Sequence, residues 1–112
     1  MKLKEIILKI NSDKEFRDEF MKSFTFKNNG RAKIAEKFNL TAENTRLAIV
    51  YLKGREGIKL SSKMQSTYEE YLKLQDKMPI TAIANYLKKD FSTIRACYWY
   101  SIGDSMNFKK NK

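Results

Sequence analysis

Two arginines, Arg46 and Arg95, stand 49 residues apart at the same place in two similar stretches of the chain. A guanidinium holds its N–H donors in a rigid plane, so it suits paired acceptors such as guanine O6 and N7 or two phosphate oxygens. The chain has 5 arginines against 18 lysines, so arginine at both places favours a specific contact. A structural ion pair with Glu36 or another acid is the alternative that the sequence leaves open.

The two stretches align without a gap and read KIAEKFNLTAENTRLAIVYL, residues 33–52, and AIANYLKKDFSTIRACYWYS, residues 82–101. Their apolar residues have helical spacing on both sides of a short turn, FNLT in one stretch and LKKD in the other. Each first helix has a small residue where a second helix can cross closely, Ala35 or Ala84. Each second helix has an N-cap residue, Thr41 or Asp90. The spacing therefore predicts two helix-turn-helix units.

The buried face of the second helix is predicted at Thr45 and Ala48 in the first unit, and at Ile94 and Cys97 in the second. Cys97 is the only cysteine, so the chain has no internal disulfide. We interpret it as a small buried side chain rather than a nucleophile. Trp99 is predicted to pack in the core or in a dimer contact rather than to stack on bases.

The first unit resembles the DNA-binding helix-turn-helix of bacterial and phage transcription factors, including the GntR-type winged helices. It has the family's small residue Ala35, the cap Thr41, the arginine Arg46 and an apolar ladder that ends at Gly57. It departs at Thr45, where valine or isoleucine is usual, and it lacks the hairpin that would form a wing.

The second unit, YLKKDFSTIRAC, resembles the helix-turn-helix of the bacterial replication initiator's C-terminal domain, where an acidic cap precedes a Ser/Thr pair. It departs further from its family. Lys89 occupies the usual apolar position of the turn, and the family's histidine is absent.

A helix-turn-helix reads bases with the side chains at the N-terminal end of its second helix. The predicted DNA-binding residues of this kind are Thr41, Ala42, Glu43, Asn44 and Arg46 in the first unit and Phe91, Ser92, Thr93 and Arg95 in the second. Arg31 and Lys33 precede the first unit's turn and are predicted to bind phosphates from the flank. A merely solvated basic face is the alternative for each lysine.

The net charge of +10 indicates an anionic partner, either nucleic acid or a membrane surface. By segment the charge is +1 over 1–26, +6 over 27–63 and +3 over 64–112. Because the excess gathers around the first unit, it favours DNA over a membrane and the first unit as the reader. A lysine-rich composition that serves only solubility is the alternative.

The residue types that most catalysis needs are missing. There is no histidine, which excludes His general bases and His-containing zinc sites, and a lone cysteine gives no thiolate cluster. No Gly-rich phosphate loop is present, and the acidic pairs have the spacing of a solvated helix surface. We predict a non-enzyme with no cofactor and no metal.

No apolar run approaches the roughly 20 residues that span a bilayer. The start, MKLKEIILKI, lacks the small-residue cleavage site of a signal peptide and is predicted to be a first helix. We therefore predict a cytoplasmic protein of a bacterial or phage-infected cell, with no membrane partner.

The fold class predicted is all-α, a compact bundle of six or seven short helices containing two helix-turn-helix units. Phe16, Phe20 and Phe24 fall on one helical face and are predicted core residues. Only GIKL, residues 57–60, is predicted as a short strand. We place N-terminal helices and the first unit in 1–60 and the second unit with a tail in 61–112, with one joint core as the alternative.

The preferred hypothesis is a sequence-specific double-stranded DNA-binding protein, a small phage or mobile-element transcriptional regulator such as a repressor. It would use the helix that begins at Thr41, and also the one that begins at Asp90, in the major groove. Two units in one chain would read half-sites ~34 Å apart, and a homodimer using the first unit would do the same. The alternatives are a DNA-packaging or replication accessory protein of the small-terminase kind, and a protein-binding inhibitor module that grips host polymerase or another protein.

Overall fold

A computed structural model describes residues 2–25 and 30–107 of the chain. Over those residues the chain forms seven α-helices and no strand, which confirms the predicted all-α bundle. The helices are α1 (Leu3–Ser12), α2 (Lys14–Thr25), α3 (Gly30–Lys37), α4 (Ala42–Glu56), α5 (Ser62–Leu74), α6 (Ile80–Leu87) and α7 (Phe91–Ser105). Within the described ranges, none of them has the length and apolar character that crossing a membrane requires.

The predicted strand at 57–60 is wrong. Gly57 ends α4 in the left-handed conformation, with φ 73°, which glycine adopts without steric cost. Ile58 N then donates to the Lys53 carbonyl at 2.8 Å, and the Ile58 carbonyl accepts from the Tyr100 hydroxyl at 2.9 Å. The loop therefore bonds to α4 and α7 instead of to a neighbouring strand.

The two predicted units, α3–α4 and α6–α7, have the same backbone geometry. In each, the residue at the equivalent place of the turn has a positive φ, Asn39 at 53° and Lys88 at 55°. The N–H of the following residue bonds to a carbonyl five residues earlier, at 2.8 Å in the first unit and 3.0 Å in the second. The sequence repeat is therefore also a repeat in structure.

α4 and α7 make the most extensive helix–helix contact of the described chain. The helices run parallel, because Gly54 faces the Tyr100 carbonyl and Gly103 faces the Tyr51 carbonyl at the same level. A Cβ on either glycine would overlap the opposing carbonyl oxygen, so the two glycines let the backbones touch. Because the contact is reciprocal, the two units pack about a local two-fold axis.

Both central helices are buried on several sides. α1 and α2 cover α4 with apolar side chains, of which the buried ones are Leu3, Ile6, Ile10, Phe16 and Phe20. α5 and α6 cover α7 with Tyr68, Tyr71 and Ile83. The predicted buried residues of the two units are all at most 1% exposed, namely Thr45, Ala48, Ile94 and Cys97. The predicted core residue Phe24 has a side chain outside the described residues.

The two halves of the chain meet in shared side-chain contacts. Val50 and Met64 pack against both apolar clusters, and Ala96 of α7 is buried in the cluster built by α1, α2 and α4. Trp99 packs half-buried against that same cluster, as predicted for a core residue. The division of the chain near residue 60 stays a prediction.

Candidate functional site

The first turns of α4 and α7 lie side by side at one end of the molecule. Arg46 Nη2 donates to the Ser92 carbonyl oxygen at 3.0 Å and to Glu43 Oε1 at 2.8 Å. Because the helices are parallel and in contact, their N-termini point the same way. We call the exposed residues at these two helix starts the paired N-terminal face: Thr41, Ala42, Phe91 and Ser92.

The two repeated arginines have different surroundings. The Arg46 side chain is 29% exposed, and its bond to the Ser92 carbonyl ties the start of α4 to the start of α7. Arg46 therefore has a structural partner in Glu43, where the sequence offered Glu36 as one such acid. Arg95 is half-buried and has no side-chain hydrogen bond or ion pair with any described residue. Base contact by either arginine stays a prediction.

The caps of the helix starts also differ. The Thr41 hydroxyl accepts from Asn44 N at 3.0 Å, and the Ser61 hydroxyl accepts from Met64 N at 3.3 Å. Asp90 occupies the predicted N-cap position of α7, but its carboxylate accepts no capping bond from the helix. The predicted cap at Asp90 is therefore right in position and wrong in bonding, and the first amides of α7 have no side-chain cap.

A cavity of about 330 Å³ opens between the first turn of α5 and the turn that leads into α7. We call it the lysine cavity, because Lys63, Lys88 and Lys89 line it. Its other polar lining residues are Ser61, Thr67, Asp90 and Thr93. Three ammonium groups against one carboxylate make the cavity positive, and the starts of α5 and α7 add the positive ends of two helix dipoles.

The structure brings most of the predicted DNA-binding residues to one end of the molecule. Thr41 and Ala42 start α4 beside Phe91 and Ser92 of α7. Four further predicted residues are half-buried in the first turns of the same helices: Glu43, Asn44, Thr93 and Arg95. Lys33 is exposed on α3. Arg31 also belongs to α3, but its side chain lies outside the described residues.

The contact between α4 and α7 excludes one predicted binding mode. Packed helices have axes about 8–10 Å apart, whereas repressor dimers hold their reading helices ~34 Å apart. One chain therefore cannot read half-sites one DNA turn apart with its two units. The sequence repeat specifies the geometry inside each unit, but it does not specify how the units pack together.

Sequence reasoning missed the lysine cavity. Lys88 and Lys89 take the places that Asn39 and Leu40 hold in the first unit, so two charges replace an amide and a buried leucine. Lys89 at an apolar position of the turn is the signal that the sequence carries. The third lysine, Lys63, joins the group only through the tertiary fold.

Burial raises the pKa of three side chains in the core: Cys97, Tyr68 and Tyr71. It raises the pKa of the Cys97 thiol to about 11. It also raises the pKa of Tyr68, and the pKa of Tyr71, where a hydrogen bond with Ser101 acts in the opposite direction. Because the pKa of Cys97 moves away from neutrality, the residue stays a thiol at pH 7 and is a poor nucleophile.

No family model, curated protein or solved structure matches the chain. The resemblances to GntR-type and replication-initiator helix-turn-helix proteins therefore stay predictions. A function has to be inferred from the geometry described above.

Proposed function

We propose that the chain is a double-stranded DNA-binding protein that uses the paired N-terminal face and the lysine cavity as one continuous surface. The observation that carries this proposal is the adjacency of two exposed, parallel helix starts to three lysines. Helix N-termini attract phosphates because they combine free N–H donors with the positive end of the helix dipole.

The availability of these lysines supports the proposal. None of Lys63, Lys88 and Lys89 forms an ion pair with a described residue, so their charges are free to meet an anion. Lys37, by contrast, is bound by Glu19 at 2.8 Å. The net charge of +10 supplies a long-range attraction toward the same partner.

The width of the surface determines how it would meet DNA. Two helices in contact are about 20 Å across, wider than the ~12 Å major groove, so both cannot enter it together. The helix starts would instead approach end-on, with phosphate contacts dominating and a few base contacts from the tips. In this arrangement Arg46 is a positioning residue, because it joins the two helix starts.

Binding to a labelled duplex tests the proposal. Fluorescence anisotropy at several salt concentrations should give an affinity that falls steeply with salt, as phosphate contacts require. Ala42→Glu and Ser92→Glu should each weaken binding about tenfold or more, since a carboxylate on the face repels phosphates. Glutamate in the first turn of a helix favours folding, so the loss would not come from unfolding.

Ser105→Glu is the matched control. It adds the same charge to an exposed position at the other end of α7, about 20 Å from Ser92. We expect it to bind nearly as the wild type does. Equal weakening by all three substitutions would show that only the net charge matters, and salt-independent binding by the wild type would refute DNA as the partner.

A transcriptional regulator is the role that we propose, with DNA packaging or replication as the alternative. Footprinting and solution mass separate them. A regulator should protect one short site per chain, whereas a packaging subunit should form a ring-shaped oligomer on or off DNA.

Exposed aromatic residues favour a second candidate, a protein-binding module. Tyr86 is 68% exposed and Phe91 is 49% exposed, so both aromatic rings are accessible to a protein partner. If the chain is such a module, Phe91→Ala should abolish capture of its protein partner, and duplex DNA should bind no better than a neutral polymer.

A further inference from the structure

We propose that the lysine cavity is a receptor for one phosphate group, and that a backbone phosphate of DNA occupies it. This inference rests on the proposed function and assigns a ligand to one part of its surface. The same chemistry would also accept free inorganic phosphate, so the experiments below distinguish the two sources.

The cavity offers hydroxyl donors as well as charge. The Ser61 hydroxyl accepts from Met64 N at 3.3 Å, which leaves its hydrogen free to be donated. The Thr93 hydroxyl has no hydrogen bond with a described residue. Thr67 contributes less, because its hydroxyl already donates to the Lys63 carbonyl at 3.3 Å.

The uncapped start of α7 is the second argument. The starts of α4 and α5 have side-chain caps, Thr41 and Ser61, whereas Asp90 leaves the first amides of α7 without one. Amides without a partner inside the helix need an acceptor from outside it. The Thr93 amide already donates to the Asp90 carbonyl at 3.0 Å, so the open amides are those of Phe91 and Ser92. A phosphate beside Asp90 and Thr93 would lie next to these amides in the chain, at the positive end of the α7 dipole, and would meet the lysines at the same time.

The lining excludes an apolar ligand. Among the described residues that line the cavity, Met64 is the only one with an apolar side chain, so an apolar ligand would find almost no contact there. Lysine is a compact charge that binds phosphate without a fixed plane, which suits a flexible, exposed site. The carboxylate of Asp90 repels an anion, so removing its negative charge should strengthen phosphate binding.

The first experiment counts phosphates through the salt dependence of duplex binding. Lys63→Gln, Lys88→Gln and Lys89→Gln are compared singly and together, with Lys77→Gln as an exposed control on the turn after α5. If the three lysines share one phosphate, the triple variant should lower the slope of log K against log salt by about 0.9, the value for one phosphate. Lys77→Gln should leave the slope unchanged.

Separate phosphates would give another result. If each lysine binds its own phosphate, the triple variant should lower the slope by about three times 0.9. That result would show an ordinary basic surface and overturn the proposal of one phosphate receptor. A triple variant that behaves like Lys77→Gln would show that DNA does not reach the cavity, and would also overturn the proposal while leaving DNA binding intact.

The second experiment removes the negative charge of Asp90. Asp90→Asn should bind the duplex several-fold more tightly than the wild type, because it removes the only negative charge among the described lining residues. Glu70→Gln, which removes an exposed charge on α5, should change affinity much less. No gain from Asp90→Asn relative to Glu70→Gln would count against phosphate in the cavity.

Titration with inorganic phosphate alone separates the two inferences. Amide NMR signals of Ser92 and Thr93 should shift saturably with phosphate but not with chloride at equal ionic strength, and the triple lysine variant should lose the shift. If phosphate binds but duplex DNA does not, the proposed function fails and the DNA backbone is not the source. If DNA binds and phosphate causes no shift, the cavity is not a receptor.

Discussion

The two helix-turn-helix units share a backbone but differ in surface. Turn conformation and the glycine contact match residue for residue, whereas the helix caps differ and Lys88 and Lys89 replace Asn39 and Leu40 in the turn. The excess charge counted along the sequence lies around the first unit, yet two of the three lysines beside an uncapped helix start, Lys88 and Lys89, belong to the second. A few residues therefore suffice to give the two units the same backbone geometry. The charge that a partner would meet has to be counted on the folded surface rather than along the sequence.

The largest expected effect concerns the feature that the units share. Gly54→Ala and Gly103→Ala should each lower the free energy of unfolding by about 3 kcal/mol or more, because the new Cβ meets backbone rather than a movable side chain. The two losses should be similar, since the contact is reciprocal. Urea denaturation followed by circular dichroism measures both.

Gly57→Ala is the matched control for the glycine pair. Its Cβ would meet only the Asn107 side chain at 3.1 Å, so its cost comes from the positive φ and should be about 1 kcal/mol. Losses at Gly54 and Gly103 no greater than at Gly57, or very unequal to one another, would contradict the local two-fold packing.

The next effect distinguishes Cys97 from Ala48, its counterpart in the first unit. Below about pH 9 the thiol is protonated in both the folded and the unfolded chain. Above that pH it ionises first in the unfolded chain, because burial raises the folded pKa to about 11. Stability should therefore fall between about pH 9 and pH 11, by up to about 2–3 kcal/mol.

Cys97→Ala, which installs the residue of the first unit, isolates this contribution. The difference between the two stability curves reports the thiol together with its repulsion of Tyr68 and Tyr71, because the ionised thiol raises the pKa of both tyrosines. Curves that stay parallel from pH 8 to pH 11 would mean that Cys97 is not protected by burial.

A smaller effect separates the repeated arginines. Arg46→Ala should lower the free energy of unfolding by about 1–2 kcal/mol, since it breaks the charge-assisted bond to the Ser92 carbonyl that joins α4 to α7 and the ion pair with Glu43 within α4. Arg95→Ala should cost less than about 0.5 kcal/mol. Thermal or urea unfolding of the pair is the measurement, and equal costs would remove the structural distinction between the two residues.

The smallest effect concerns the caps. Thr41→Ala should cost about 1 kcal/mol, because the bond from Asn44 N is lost. Asp90→Ala should cost only a few tenths of that, because Asp90 makes no capping bond to lose. If Asp90→Ala is as costly as Thr41→Ala in urea denaturation, α7 is capped in solution and the start of that helix is not free for an anion.

The local features of the fold could be predicted from sequence. Helical spacing gave the all-α class, and the same spacing identified Thr45, Ala48, Ile94 and Cys97 as buried. The cap at Thr41 follows from its hydroxyl and its position before a helix. These features depend on residues within one or two helical turns, so a single stretch of sequence contains the information.

The docking of α4 on α7 could not be predicted in the same way, because it depends on contacts between distant parts of the chain. The residues that indicate this docking in the sequence are Gly54 and Gly103. They occupy equivalent positions of the two units but lie just beyond the aligned stretches. The lysine cavity has the same difficulty, since Lys63 lies 25 residues before Lys88. The strand predicted at 57–60 failed because this short apolar run has no partner strand in the part of the chain that the structure describes.

The glycine contact between α4 and α7 has a consequence for how binding depends on protein concentration. A repressor that must dimerise before it binds loses activity steeply when the cell dilutes it, because two molecules must first meet. Here the two units are joined in one chain and are paired at any protein concentration. Under the proposed function, occupancy of a DNA site by the paired N-terminal face should therefore rise with protein concentration along a simple hyperbola, with a Hill coefficient of about one.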